Sequence, residues 1–293
     1  MFSYQSWSMT QPIQYTGAER SSGVLRSLTA ADIPEGVELS TAAGWNQVPA
    51  DWEMLMELAP ETCFAIECEG NLAATTTLVS YADQLAWIGM VLTHTRYQRR
   101  GFATRLVEQA LKSADARGIR SVKLDATEQG RPVYERLGFR VEQELKRWSS
   151  VKPDISERGP RDSSSQAMSN VHFELDRMAS GADRSNLLRL LSQRVPPSCD
   201  SEGFLLSRPG IRASYIGPFV ARNRETAYRL LRSRFDTGDT IWFWDILSSN
   251  HDAVSLAEEF GFKPRRNLLR MVRGADLRGN DALTYGTAGF ELG

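Results

Sequence analysis

An unbroken apolar run, Leu85-Ala86-Trp87-Ile88-Gly89-Met90-Val91-Leu92, leads through the basic stretch Tyr97-Gln98-Arg99-Arg100-Gly101-Phe102-Ala103-Thr104 into an amphipathic pattern. The run has the composition of a strand buried on both faces. The pattern places Phe102, Leu106, Val107, Ala110, Leu111 and Ala114 at helical spacing and stops at Gly118. A buried strand joined to a helix by a short loop predicts an α/β chain, and the loop itself is a candidate phosphate cradle. A helix start offers unpaired backbone N–H groups and the positive end of a dipole. Gly101 lets the backbone come close to a ligand, small Ala103 adds no bulk, and Arg99 and Arg100 add charge. The plainer alternative is a solvated basic turn before an ordinary helix.

Around this core the first half reads as a regular alternation. A strand end and a capped helix are expected from Leu28 to Ala43, then a helix over Asp51 to Leu58. Cys63 to Glu67 and Leu72 to Val79 form a hairpin about Glu69-Gly70-Asn71. Ser121 to Ala126 is a strand, followed by a short helix with Pro132 in its first turn and Gly138 as its stop, and Phe139 opens another strand. Residues 1–23 read as a flexible arm, and the Pro, Ser, Gly and charged residues of 151–169 as a linker. The expected domains are therefore 24–150 and 170–293.

The second domain repeats the order of the first. Tyr215-Ile216-Gly217 echoes Trp87-Ile88-Gly89, Ala227 to Leu231 echoes the helix after the loop, and Glu259-Phe260-Gly261-Phe262 echoes Arg136-Leu137-Gly138-Phe139. The echo fails at two places. About four residues, those matching Gln98 to Gly101, are missing after Gly217, and Ala257 stands where the first copy has Tyr134. A duplication that kept its fold while losing a cradle and a hydroxyl accounts for both. The aromatic strand Trp242-Phe243-Trp244-Asp245 either fills a core or lines a shared cavity.

At 293 residues and 41% hydrophobic the chain can bury more than one core, and its net charge of −1 gives no basic field for nucleic acid or an acidic membrane. No segment approaches a membrane span, and the polar N-terminus is no secretory signal. Cys63, Cys68 and Cys199 lack paired spacing, as do His94, His172 and His251, so buried thiols in a reducing cytoplasm are expected and a metal site is not.

Gln98-Arg99-Arg100-Gly101-Phe102-Ala103, with the apolar strand before it, the helix after it, and Tyr134 and Gly138-Phe139 beyond, resembles the signature of the GNAT superfamily of acyl-CoA-dependent N-acetyltransferases. The phrases Trp87-Ile88-Gly89-Met90-Val91 and Leu124-Asp125-Ala126-Thr127 are similar to a bacterial subgroup with a second, degenerate GNAT-like domain. The resemblance implies a mixed α+β sandwich: two tandem GNAT-like folds, each a mixed twisted sheet flanked by helices. It implies acetyl-CoA as co-substrate, without a metal. Backbone amides of Gln98 to Thr104 would hold its pyrophosphate. The backbone of Met90, Val91 and Leu92 would pair with the pantetheine near a bulge, where strand 85–93 splays from strand 121–126, leaving one N–H for the thioester carbonyl.

Tyr134 is the general-acid candidate by the same resemblance, or else an amphipathic core residue with its hydroxyl at the rim. Strand 85–93 carries no carboxylate, so the amine's proton is expected to leave through Asp125, Asp83, Glu128 or a water chain. Trp45 and Asn46, with Asp51 and Trp52, fall in the segment forming one wall of the family's acceptor site. The implied acceptor is a small-molecule or peptide amine, and the implied protein a cytoplasmic monomer or homodimer. The competing reading is a non-catalytic acyl-CoA-binding sensor or scaffold.

Overall fold

The computed structural model describes residues 23–151, 153, 167–235 and 241–293. Residues 1–22 of the expected arm and most of the expected linker lie outside the described residues. The first half runs β1 Val24–Ser27, α1 Ile33–Ala42, α2 Pro49–Leu58, β2 Cys63–Cys68, β3 Asn71–Tyr81, β4 Leu85–Thr93, α3 Phe102–Ala116, β5 Ser121–Ala126, α4 Arg131–Arg136 and β6 Arg140–Ser150. The second half runs α5 Asn170–Ser180, α6 Ser185–Arg194, β7 Ser198–Asp200, β8 Gly203–Arg208, β9 Ser214–Ala221, α7 Arg224–Arg234, β10 Trp242–Leu247, α8 His251–Glu259, β11 Lys263–Gly274 and β12 Thr284–Gly286. From α5 to β11 the order of elements repeats that from α1 to β6. The duplication read from the sequence is present in the fold, and among the described residues β12 has no counterpart in the first half.

All the strands join one mixed sheet in the order β1-β2-β3-β4-β5-β11-β6-β10-β9-β8-β7, with β12 on β9. The last strand of each half is exchanged. β11 pairs antiparallel with β5, and β6 pairs antiparallel with β10, while β6 and β11 pair with each other at the centre. Leu145 faces Leu268 there, both nearly fully buried. The exchange is locked symmetrically. Arg270 on β11 grips Asp125 on β5 through two bonds of 3.0 and 3.1 Å, and Arg147 on β6 grips Asp245 on β10 through two of 2.8 and 2.7 Å. Each pair lies directly across its ladder, so a strand slip by one residue would orphan a buried charge.

Side-chain alternation sorts the core into layers. Leu39, Trp52 and Leu55 of α1 and α2 share one continuous cluster with Leu175, Leu187 and Leu191 of α5 and α6, so these helices cover one face across both halves. On the opposite face, α3 packs Phe102, Leu106 and Ala110 against the first half, and α7 and α8 pack Leu231, Leu256 and Ala257 against the second. Cys63, Cys68 and Cys199 are all buried. Among the described residues, no helix is long and apolar enough to cross a membrane.

Candidate active site

The site begins with a fault in β4. Leu85 and Trp87 enter one core layer and Ala86 and Ile88 the other, as alternation requires. After Gly89 the parity flips, and Met90 and Leu92 join Leu85 and Trp87. That flip marks a β-bulge. Thr75 faces Leu92 and Thr77 faces Gly89, leaving one residue of β3 opposite two of β4, and Met90 sits at φ +48°. Thr75 and Thr76 hold the bulge by donating their hydroxyls to the carbonyls of Met90 (2.8 Å) and Gly89 (3.2 Å). On its other side, β4 pairs in parallel with β5 only from Leu85 to Trp87. Beyond Trp87 the two strands part, and a cleft opens at the bulge.

The cradle loop lies at the far end of β4. Tyr97 is buried and anchors it, while Arg99 at φ +65° and Gly101 at φ +84° both adopt the left-handed conformation. Where left-handed Gly101 meets the right-handed start of α3, successive N–H groups turn toward one side, the concave arrangement that attracts anions. Gly101 is the N-cap of α3 and brings no side chain to its first turn, and a Cβ placed there would meet nothing within 4 Å. Gln98, Arg99 and Gly101 are exposed and Thr104 is half-buried. Arg100 lies over the Tyr97 ring at 5.2 Å, and Phe102 turns into the core.

Between loop, bulge and the ends of β5 and β11 lies a cavity of about 330 Å³. Met90, Val91, Ala103, Asp125, Tyr134 and Trp45 all contribute to its wall. Tyr134 comes from α4 and packs edge-on against Phe139, with ring centroids 6.0 Å apart. Burial pushes its phenol up to about 12, so it holds its proton throughout the neutral range. Leu92 is core rather than wall.

Two expected residues play other parts. Asp125 has no exposed side-chain surface, and its carboxylate accepts both bonds from Arg270. Burial is the largest influence on Asp125 and raises its pKa, while Arg270 opposes that rise. Asp125 thus joins the two halves through both of its oxygens while it lines the cavity. Asn46 lies off the cavity. Its side chain accepts from the amides of Arg212 and Ala213, both at 3.0 Å, and donates to the Ala213 carbonyl at 2.9 Å. It ties the α1–α2 connection to the second half, because a planar amide can satisfy donor and acceptor backbone groups together.

The cavity's remaining polar wall escaped the sequence reading. Arg147 and Arg266 come from the exchanged strands, and Phe290 and Glu291 from the segment after β12. Glu291 is 3% exposed and packs on Gly89, where a Cβ would lie 2.7 Å from the Glu291 Cα. Gly89 therefore has no room for a side chain, and its lack of one lets the segment reach the bulge. The Trp87 indole donates to the Phe290 carbonyl at 2.9 Å, and Arg208 donates to Glu291 at 2.9 Å. Only the pseudo-symmetry of Asp125 and Asp245 along the two halves could have hinted at Arg147.

Comparison with known proteins bears on both halves. The acetyltransferase (GNAT) family model matches residues 33–139, and an acetyltransferase (GNAT) domain model matches 172–286. The uncharacterised N-acetyltransferase YitH of Bacillus subtilis (strain 168) is 31% identical over 162 residues, which is 50% of this chain and 55% of that protein. The chain thus matches about half the length of that curated relative. A crystallised acetyltransferase candidate from Pyrococcus horikoshii superposes with a TM-score of 0.82 at 23% identity, over 97% of this chain and 99% of the other. A GCN5-related N-acetyltransferase from Sphaerobacter thermophilus gives 0.62 at 15% identity, over 90% and 99%. At these identities the likeness is one of fold.

Proposed function

Starting from the fact that the chain belongs to the acetyltransferase (GNAT) family, with two GNAT-like domains in tandem, we propose that it transfers the acetyl group of acetyl-CoA to a primary amine by direct attack in a ternary complex. The observation that carries this reading is the bulge at Met90, which opens the β4–β5 cleft onto a cavity walled by Tyr134. The protein residues fit the carrier. Loop amides from Gln98 to Thr104 receive a diphosphate at the uncapped start of α3. The β4 backbone from Met90 to Leu92, released from β5, can pair with amides of an extended arm.

A thioester supplies an activated acyl carbon, and the protein supplies placement and charge stabilisation. A backbone N–H at the bulge, aimed at the carbonyl oxygen as it gains negative charge, contributes about 3 kcal/mol in comparable sites. Tyr134 keeps its proton and donates it toward the departing sulfur. Asp125 and Glu291 both line the cavity, but Arg270 occupies both oxygens of Asp125 whereas Arg208 bonds one oxygen of Glu291, so Glu291 beside the bulge is the carboxylate that accepts the proton the ammonium loses before attack. The new C–N bond forms as the C–S bond breaks, the second proton shed by the nitrogen restores the Tyr134 phenol, and holding both reactants in one cavity removes most of the entropic cost.

Acetyl-CoA titration by calorimetry, followed by free-thiol release across a panel of amines, tests the proposal. Saturable binding with thiol release is expected. Binding without release against any amine would leave an acyl-CoA sensor instead.

A further inference from the structure

The charges around the cavity are not evenly balanced. Beside the bulge, Arg208 serves two carboxylates, Glu291 at 2.9 Å and Asp51 at 3.5 Å. Asp51 is buried, and desolvation together with the nearby Glu291 raises its pKa against the pull of Arg208. At the other end the proportion is reversed. Arg147 is fully engaged by Asp245 and lies 4.2 Å over the Phe290 ring. Arg266 faces Arg147 across the β6–β11 ladder and lines the same cavity. Among the described residues, no carboxylate lies within ion-pair distance of Arg266. Two guanidiniums there share one acid. Arg266 is exposed at the cavity mouth; desolvation and the adjacent Arg147 press its pKa down while Asp245 opposes them.

A simple alkylammonium would meet a like charge at that exposed end and find no partner there, a repulsion that solvent weakens without reversing. A molecule with an ammonium at one end and an anion at the other would satisfy both ends of the wall. We propose that the acceptor is an amino acid or a close amino-carboxylate, its carboxylate bound by Arg266 and its amine held at Glu291 beside the β4 bulge. A guanidinium presents parallel N–H donors that match a carboxylate, which distinguishes this end from a point charge. Trp45 and Phe290 add aromatic faces to the same cavity wall. This assignment rests on the acetyltransferase reading above and narrows its substrate.

The test uses the full chain and the twenty L-amino acids, each beside its α-carboxamide and its decarboxylated amine. Thiol release with acetyl-CoA is measured for the native protein, R266Q and R266K. Binding of the same compounds without any acyl donor is measured by saturation-transfer NMR. The best amino acid should exceed its amide in kcat/KM by about ten- to a hundredfold, through KM, the range for a hydrogen-bonded charge. R266Q should erase that gap and R266K restore part of it, with calorimetric affinity for acetyl-CoA unchanged in both. Amides that match their acids, or a gap that survives R266Q, would overturn the assignment. The binding arm decides even without turnover: carboxylate-dependent binding lost in R266Q supports the site, and its absence in the native protein refutes it. Failure of the acetyltransferase reading would look different, as loss of acetyl-CoA binding or thiol release across every compound.

Discussion

The two halves share a chain path and differ in what occupies the cleft between their splayed strands. In the first half β4 leaves β5 after Trp87, and the gap is a cavity. In the second, β9 leaves β10 after Ile216, and β12 fills the gap by pairing along β9. Trp244 and Tyr285 close it: the Trp244 indole donates to the Tyr285 carbonyl at 2.9 Å, and both rings pack on Phe219. The helix starts differ in the same sense. Asn223 caps α7 by accepting from the Thr226 amide at 2.9 Å, whereas α3 begins at a glycine. Where a ligand cleft is filled by the chain itself, the groups that would bind a ligand become structural. The segment that fills one cleft then continues to Phe290 and Glu291 on the wall of the other.

The largest break in this comparison is expected at Tyr134. Its counterpart Ala257 occupies the same cap, since Phe139 donates to the Tyr134 carbonyl at 3.1 Å and Phe262 to the Ala257 carbonyl at 2.8 Å. Tyr134→Phe should lower kcat by about 10² to 10⁴ while leaving the KM for acetyl-CoA nearly unchanged. Steady-state kinetics decide it, and an unaltered kcat would remove the hydroxyl from the chemistry. Ala257→Tyr should create no activity in the second half, because its cleft is full.

Stability gives the next contrast. Trp244 is fully buried between Phe219 and Phe262, and Trp244→Ala should cost about 3–5 kcal/mol in denaturant unfolding. Leu124, one residue before the matching aspartate, faces the open cavity, so Leu124→Ala should fall near the low end of its class, about 2 kcal/mol. Equal losses at the two positions would mean that the first cleft is as tightly packed as the second.

Much of the first half was legible because its signals are local. The apolar run, the helical spacing after Phe102 and the glycine stops place β4, α3, β5 and α4 within a residue or two. The bulge was expected only through a family likeness, since periodicity shows Leu85 to Leu92 as a continuous apolar run. What stayed hidden is long-range. Asp125 and Arg270 are far apart in the chain, and nothing near either one indicates a partner. The exchange of β6 and β11 is silent for the same reason, because a strand's alternation says which face is buried and not which neighbour it takes. Residues 284–293 carry little pattern of their own, yet they close one cleft and wall the other. The bonds of Asn46 to Arg212 and Ala213 were hidden for the same reason, since they join residues far apart in the chain.

Smaller effects sharpen the contrast between the helix starts. Gly101→Val forces a β-branched residue into φ +84°, a strain of about 1–2 kcal/mol. Calorimetry should show acetyl-CoA binding weakened about tenfold or more, as the loop leaves its concave form. Asn223→Ala removes a cap from α7 and should cost about 1 kcal/mol of stability with no change in acetyl-CoA affinity. If both substitutions act alike on binding, the two helix starts are not functionally distinct.

The smallest expected effect is at Arg99, which is exposed and left-handed in the cradle loop. If backbone amides do most of the gripping, its side chain adds only a screened surface charge, and Arg99→Gln should raise the KM for acetyl-CoA by about two- to fivefold at low salt. The difference should shrink toward none near 0.5 M salt, where the screening length is on the order of 4 Å. A large, salt-insensitive loss would instead mean that a desolvated guanidinium carries the diphosphate. The contrast between the two helix starts would then lie in a side chain rather than in the backbone.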